Sequence, residues 1–175
     1  QQKLKEYNAL DFDDLLYLTV KLFRTSQETL EHYQKRWTFI LIDEYQDTNA
    51  AQYFMTKLLV GKRNNIFVVG DPDQSIYSWR GANIHNILNF EKDYENAQVI
   101  TLEQNYRSTS NILEGANGLI AHNEERYEKR LWSALGAGEK IAVYIAENEK
   151  REAQFVTQEL ARMAREKHLP LKECA

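Results

Sequence analysis

The stretch FILIDEYQDTN, residues 39–49, places four apolar residues directly before two neighbouring carboxylates, Asp43 and Glu44. A second run, NIFVVGD at 65–71, is also almost wholly apolar and closes on Gly-Asp. Nearly continuous apolar runs of this length predict parallel strands that are buried on both faces. Because ligands of open parallel sheets bind beyond the carboxyl ends of the strands, the two runs predict a site at one sheet edge.

The rest of the chain alternates strand-like and helix-like segments. AQVITL (97–102) and KIAVYIAE (140–147) predict two further strands. Helical spacing of apolar residues begins near four positions: Asp11, Asn49, Ser108 and Glu149. This alternation predicts an α/β fold with a mostly parallel sheet. The charged, weakly patterned segment 89–97 is the candidate boundary between two α/β units.

Composition narrows the class of protein. Of the 175 residues, 43% are hydrophobic and 27% are charged, which predicts a packed core. A net charge of −4 argues against coating nucleic acid by bulk charge, but it leaves room for a local basic or aromatic track. A single cysteine, Cys174, excludes an internal disulfide and disfavours a cysteine-based metal site. With no membrane-spanning apolar run, the expected setting is soluble and intracellular.

The acid pair at the end of the first run has two interpretations. A carboxylate there can hold Mg²⁺, usually through its water shell, while its neighbour orients or deprotonates an attacking water. Alternatively, Asp43 or Asp47 only caps the helix that begins at Asn49.

The stretch GDPDQSIYSWRGA, residues 70–82, follows the second run. Gly70-Asp71-Pro72 predicts a tight exit from the strand, with Gly70 accepting an unusual φ and Pro72 fixing the turn. Gln74 then offers a neutral amide near the place of a terminal phosphate. Tyr77, Trp79 and Arg80 could stack on bases, at about 1–3 kcal/mol per base, and contact phosphate. The alternative is that both aromatic rings fold into the core.

The stretch LEQNYRSTSNIL, residues 102–113, exposes a polar turn before a helix start. Arg107 is a candidate arginine finger, a cation that neutralises charge on a transferred phosphoryl group. Tyr106 beside it could stack on an adenine. The alternative is a surface arginine paired with Glu103, which contributes little.

Taken together and in this order, the motifs closely resemble the UvrD/PcrA/Rep family of superfamily 1 DNA helicases. ILIDEYQDTN matches motif II, VVGDPDQSIYSWRGA motif III and LEQNYRS motif IV. LDFDDLL (10–16) and KRLW (129–132) are also similar to that family, although the acids of DFDDLL are equally typical of a helix start. The resemblance implies a RecA-like P-loop NTPase architecture, with ATP between two motor domains that move 3′ to 5′ along single-stranded DNA.

The resemblance also implies residue roles. Asp43 would coordinate Mg²⁺, Glu44 would be the catalytic base, and Gln74 would sense the γ-phosphate of ATP. Tyr106 would stack on the adenine, and Arg107 would be the finger. The DNA track would be lined by Tyr77, Trp79 and Arg80. Residues 1–96 would belong to the first motor domain and 97–175 to the second. The expected partners are single-stranded DNA and duplex with a 3′ overhang, in cytoplasmic, nucleoid-associated DNA repair or replication restart, with no membrane.

The phosphate-binding loop GxxxxGK[ST] is absent, and so are the late motifs of the family. VGKRN (60–64) lacks the earlier glycine and the Ser/Thr. We therefore expect an internal fragment that has no ATPase or unwinding activity alone and whose first unit leaves part of its core open. Two alternatives remain: the motor segment of a helicase–nuclease, and a non-catalytic nucleic-acid-binding module that keeps the motor fold.

Overall fold

The computed structural model describes residues 2–174 as a mixed α/β chain. Within them the sheet has two parallel strands, β1 (Ile40–Ile42) and β2 (Ile66–Val68). Ile40 pairs with Ile66 and Ile42 with Val68. The parallel pairing predicted from the two apolar runs is confirmed, and it brings the carboxyl ends of both strands to one edge.

Eight α-helices lie within residues 2–174. They are α1 (Gln2–Glu6), α2 (Phe12–Thr25), α3 (Gln27–Arg36), α4 (Ala50–Val60), α5 (His85–Leu88), α6 (Phe90–Asp93), α7 (Ser110–Ile120) and α8 (Glu149–Glu166). The four predicted helices are confirmed as α2, α4, α7 and α8. No helix among these residues is both long and apolar enough to cross a bilayer.

Side-chain caps explain where the longer helices begin. Asn49 and Gln52 form a reciprocal capping box at α4, which ends at Gly61 with φ 54°. The interpretation that Asp43 or Asp47 caps this helix is therefore wrong. Asp11 and Asp14 form a second box at α2, so two of the DFDDLL acids act as helix-start residues.

Helices α2, α3 and α4 pack together, and α4 also contacts β1. Their core includes Phe23, Leu30 and Val60. The opposite face of the sheet is open, since Leu41 is 72% and Phe67 60% exposed. Burial of both faces was predicted and is wrong here, because no described segment covers the outer face. The expectation of a partly open core is confirmed.

The strands predicted at 97–102 and 140–147 are also wrong. Neither segment is a strand in the structure. The nearest sheet-like feature is an isolated parallel bridge between Gln104 and Trp132. A strand needs a neighbour that takes its backbone hydrogen bonds. Within residues 2–174 neither run has one, so Ile100, Val143 and Ile145 remain exposed.

Candidate functional site

The turn after β1 carries the acid pair. Glu44 lies in the left-handed region, at φ 52° and ψ 42°, a conformation that costs a non-glycine residue about 1–3 kcal/mol. Two hydrogen bonds hold the turn: Asp43 Oδ1 accepts the Glu44 N–H at 2.9 Å, and the Tyr45 N–H donates to Val69 O at 3.0 Å. Both carboxylates are exposed beyond the sheet edge.

Gln46 joins the ends of the two strands. Its side chain is almost fully buried, at 1% exposure. Nε2 donates to Glu44 Oε2 at 2.9 Å, and Oε1 accepts the Asp71 N–H at 3.0 Å. Sequence reasoning missed this residue. The available signal was an amide two residues after the acid pair, in a turn where both a donor and an acceptor are needed.

Gly70 makes this junction possible by its small size. A Cβ at this position would lie 2.6 Å from Gln46 Oε1, 2.9 Å from Ile87 Cδ1 and 3.1 Å from Tyr45 N. Its φ is not positive, so the expected unusual φ is wrong. Glycine is needed here because the chain after β2 lies directly against the turn after β1.

The next turn holds Gln74. Asp71 caps a short 3₁₀ turn, Pro72–Gln74, and its Oδ1 accepts the Asp73 N–H at 3.0 Å. The exposed Gln74 donates from Nε2 to Asp71 Oδ2 at 2.7 Å. Glu44 and Gln74, two of the predicted site residues, are thus linked through Gln46 and Asp71.

Tyr77, Trp79 and Arg80 form an exposed cluster beyond this turn. Trp79 is 73% exposed and Tyr77 is exposed as well, so the interpretation that both rings lie in the core is wrong. The Arg80 guanidinium lies 4.5 Å from the centroid of the Trp79 ring and 5.4 Å from that of Tyr77. This geometry leaves two rings and a cation available at the surface.

Tyr106 and Arg107 lie on a separate exposed turn. Asn105 Oδ1 accepts the N–H groups of Arg107 at 2.9 Å and of Ser108 at 2.8 Å. Glu103 accepts the Arg130 N–H at 2.9 Å and, among residues 2–174, forms no ion pair with Arg107. The alternative of an Arg107–Glu103 pair is therefore wrong.

The hydrogen bonds described over 2–174 do not connect the Tyr106–Arg107 turn directly to Asp43, Glu44 or Gln74. The predicted site residues thus form two groups. One follows the two strands, and the other precedes α7.

Asp43 is the residue that the sequence analysis predicts to hold a metal ion. Over the described part of the chain, no three or more His, Cys, Asp or Glu side chains gather as a metal site. Mg²⁺ commonly keeps several waters and uses one or two carboxylates together with substrate phosphates. An exposed Asp43 carboxylate with one oxygen committed to its own turn fits that mode of binding.

Comparison with known proteins gives two family matches. Residues 1–95 match the UvrD/REP helicase N-terminal domain, and residues 100–175 match the UvrD-like helicase C-terminal domain. The chain is 49% identical over 175 residues to the ATP-dependent DNA helicase PcrA of Leuconostoc citreum, covering 100% of this chain. It is 54% identical over 165 residues, 94% of this chain, to the PcrA proteins of Staphylococcus epidermidis and Staphylococcus aureus. The chain spans 23% of the length of each relative.

Proposed function

The chain belongs to the UvrD/REP helicase family, and on that premise we propose that it is part of the motor of an ATP-dependent 3′–5′ DNA helicase. The motor would hydrolyse ATP to move on single-stranded DNA and unwind duplex with a 3′ overhang. Its setting would be DNA repair or replication restart in the cytoplasm, at the nucleoid.

The proposed architecture is RecA-like, with parts of two motor domains. The parallel pair β1–β2, with polar turns at its carboxyl edge, supports this architecture for residues 1–96. Residues 97–175 would begin the second motor domain. The limits of the two family matches, residues 95 and 100, support a boundary between 96 and 97.

The hydrogen-bonded chain from Glu44 through Gln46 and Asp71 to Gln74 is the observation that carries the proposal. Glu44 would accept a proton from the attacking water. Gln46 orients its carboxylate, and a proton acceptor must be held in place to be effective. Gln74, at the other end of this series of hydrogen bonds, would contact the γ-phosphate of ATP. Movement of Gln74 after β2 would thus alter the position of Glu44 after β1.

The remaining residues complete the proposed ATP site. Asp43 would hold Mg²⁺, which when bound neutralises charge on the phosphates. Tyr106 would stack on the adenine, and Arg107 would contact the phosphate that is transferred. Their exposure, on a turn fixed by Asn105, leaves both side chains available for nucleotide.

DNA would bind over the exposed cluster of Tyr77, Trp79 and Arg80. Stacking of bases on aromatic rings contributes about 1–3 kcal/mol per base and tolerates any sequence. A guanidinium held over both rings adds a cation beside the stacking surface for the DNA phosphates. This local track is compatible with a chain of net charge −4.

The test uses a chimera in which this chain replaces the matching segment of the Staphylococcus aureus relative. We expect DNA-stimulated ATP hydrolysis, and a fall in kcat of about 100-fold or more in Glu44→Gln, with ATP binding retained. Glu147→Gln, which neutralises an exposed acid distant in sequence, should leave kcat unchanged. Normal turnover in Glu44→Gln would refute Glu44 as the base.

The 175-residue chain alone should hydrolyse no ATP, because it contains no GxxxxGK[ST] loop. Phosphate release by the purified chain, abolished in Glu44→Gln, would contradict this expectation.

A further inference from the structure

The segment 126–132, called here the coupling segment, contacts the two turns that carry the predicted site residues Gln74 and Arg107. At its start, the Arg126 guanidinium binds Asp73 through both oxygens, with Nε–Oδ1 at 3.0 Å and Nη2–Oδ2 at 2.8 Å. Lys129 pairs with Asp71 Oδ1 and lies 3.4 Å from Asp73 Oδ2. Two cations and two carboxylates therefore meet at the turn that carries Gln74.

This quartet is mostly buried. The side chains of Arg126, Lys129, Asp71 and Asp73 are between 11% and 24% exposed. Burial raises the pKa of Asp71, but hydrogen bonds from Lys129 and Gln74 and the charge of Lys129 outweigh it and lower the pKa. Removing one partner from such a group leaves a poorly solvated charge, unlike the loss of an exposed surface pair.

The end of the coupling segment holds the other turn. The Asn105 N–H donates to Trp132 O at 2.8 Å, and the Trp132 N–H donates to Glu103 O at 3.0 Å. The Arg130 N–H donates to Glu103 Oε1. Asn105 in turn fixes the backbone of Arg107 and Ser108. The same seven residues therefore position the turn that carries Tyr106 and Arg107.

Other contacts keep the coupling segment in place between the two turns. Asn117 of α7 bonds the backbone of Leu131 twice, to its carbonyl oxygen at 2.9 Å and from its N–H at 3.2 Å. The Tyr127 hydroxyl donates to Leu88 O at 3.3 Å. The segment is therefore attached to residues before and after the 96–97 boundary.

We propose that residues 126–132 mechanically couple the two halves of the nucleotide site, with Arg126 and Lys129 as positioning residues. They contact neither proposed reacting group. Arg126 and Lys129 fix the Asp71–Asp73 turn and thereby Gln74, and the backbone at 130–132 fixes the Arg107 turn. The spacing between Gln74 and Arg107 is then set by one short segment. This inference rests on the proposed function for the roles of Gln74 and Arg107. The contacts of the coupling segment can be tested separately.

The contact is tested in the 175-residue chain by amide hydrogen exchange. In Lys129→Met we expect residues 71–75 to exchange about tenfold faster, because the turn loses a mostly buried cation that pairs with both of its carboxylates. The N–H groups of Arg107 and Ser108 should also exchange faster. Lys167→Met removes an exposed lysine pair with Glu139 and should change neither turn. Unchanged exchange at 71–75 in a folded Lys129→Met chain would overturn the proposal.

A charge swap covers the case in which Lys129→Met does not fold. Asp73→Arg combined with Arg126→Asp should restore the exchange rates that each single change raises. If the double variant raised the exchange rates at 71–75 by as much as the two single changes together, the proposed contact between the coupling segment and the Asp71–Asp73 turn would be overturned.

Coupling is tested in the chimera by ATP turnover. Lys129→Met should lower the DNA-stimulated kcat about tenfold and change the KM for ATP less than about threefold, because it misplaces groups used after binding. Lys129→Arg should restore most of kcat. An unchanged kcat in an active chimera would overturn coupling even if exchange at 71–75 rises. A wild-type chimera without any turnover would instead refute the proposed function. The hydrogen-exchange result would then decide whether the coupling segment anchors the Asp71–Asp73 turn.

Discussion

Residues 2–96 and residues 97–174, called here the first and second parts, are organised differently. The first part pairs β1 with β2 and buries six apolar side chains: Phe23, Leu30, Tyr45, Val60, Ile87 and Tyr94. The second part buries one, Leu113, and its two apolar runs have no strand neighbour among the described residues. Both parts nevertheless carry polar turns with well-defined hydrogen bonds.

The difference shows that an ordered turn does not require a packed core beneath it. The Glu44 turn is held by buried groups around Gln46, whereas the Arg107 turn is held mainly by backbone bonds to the coupling segment. A substitution of a given type should therefore lower the free energy of unfolding much more in the first part than in the second. Three paired substitutions test this expectation, each with one member in each part.

Gly70→Ala should give the largest loss. The new Cβ would lie 2.6 Å from Gln46 Oε1 and 2.9 Å from Ile87 Cδ1, so buried groups must move. We expect the free energy of unfolding to fall by about 3 kcal/mol, measured by urea denaturation. Gly118→Ala in α7 has no heavy atom within 4 Å of the new Cβ and should be neutral or stabilising by up to about 1 kcal/mol. Equal losses in the two variants would remove the distinction between the parts.

How far the sequence predicts this structure follows the same division. The two runs ending at Asp43 and Asp71 were correctly predicted as parallel strands, and they pair with each other. The runs at 97–102 and 140–147 have the same apolar character and do not pair. Apolar character is local, but strand pairing depends on which segments are near, and one sequence pattern does not contain that information.

The site shows the same limit at the level of single residues. Sequence motifs identified Glu44, Gln74 and Arg107 as candidates, and their roles remain proposals. Gln46 and Lys129 were not identified as positioning residues, since their contacts depend on two segments meeting: Gln46 reaches Asp71, 25 positions away, and Lys129 reaches the same residue from 58 positions away. The cap of α4 was also assigned to the wrong residue, since the sequence analysis offered Asp43 or Asp47 and the structure has Asn49, whose partner Gln52 lies three residues away.

Gln46→Ala should give an intermediate loss. It removes a buried amide and leaves the Asp71 N–H without its acceptor, so we expect a loss of about 2 kcal/mol in unfolding free energy. Gln154→Ala removes an exposed glutamine of α8 that accepts a hydrogen bond from Arg151, and it should change stability by less than about 0.5 kcal/mol. A loss below 0.5 kcal/mol in Gln46→Ala, on the same urea scale, would show that the strand ends do not depend on this bridge.

Alkaline pH gives the third comparison, which is the smallest when expressed per pH unit. Among the described residues, three tyrosines of the first part (Tyr45, Tyr53 and Tyr94) and one of the second (Tyr127) have a raised pKa. Burial, followed by the charge of Asp93, raises the pKa of Tyr45 from 10.0 to about 12. Burial and a hydrogen bond to Asp93 raise the pKa of Tyr53 to about 12. Unfolded tyrosines release their protons near pH 10, but the folded ones keep them. The stability that these phenols contribute is therefore full below pH 10 and is lost as the pH rises through about 12.

Tyr45→Phe isolates one of these protons. The Tyr45 hydroxyl has no hydrogen-bond partner among residues 2–174, so the change removes little besides the titrating group. Between pH 10 and 12 the decline of unfolding free energy should become shallower by about 1.4 kcal/mol per pH unit, the linkage value for one proton. Tyr144→Phe, whose ring stacks on Phe155 at 3.9 Å in the second part, should leave the decline as in the parent chain. If urea denaturation across this pH range gave Tyr45→Phe and the parent the same slope, the buried tyrosine would not distinguish the first part from the second.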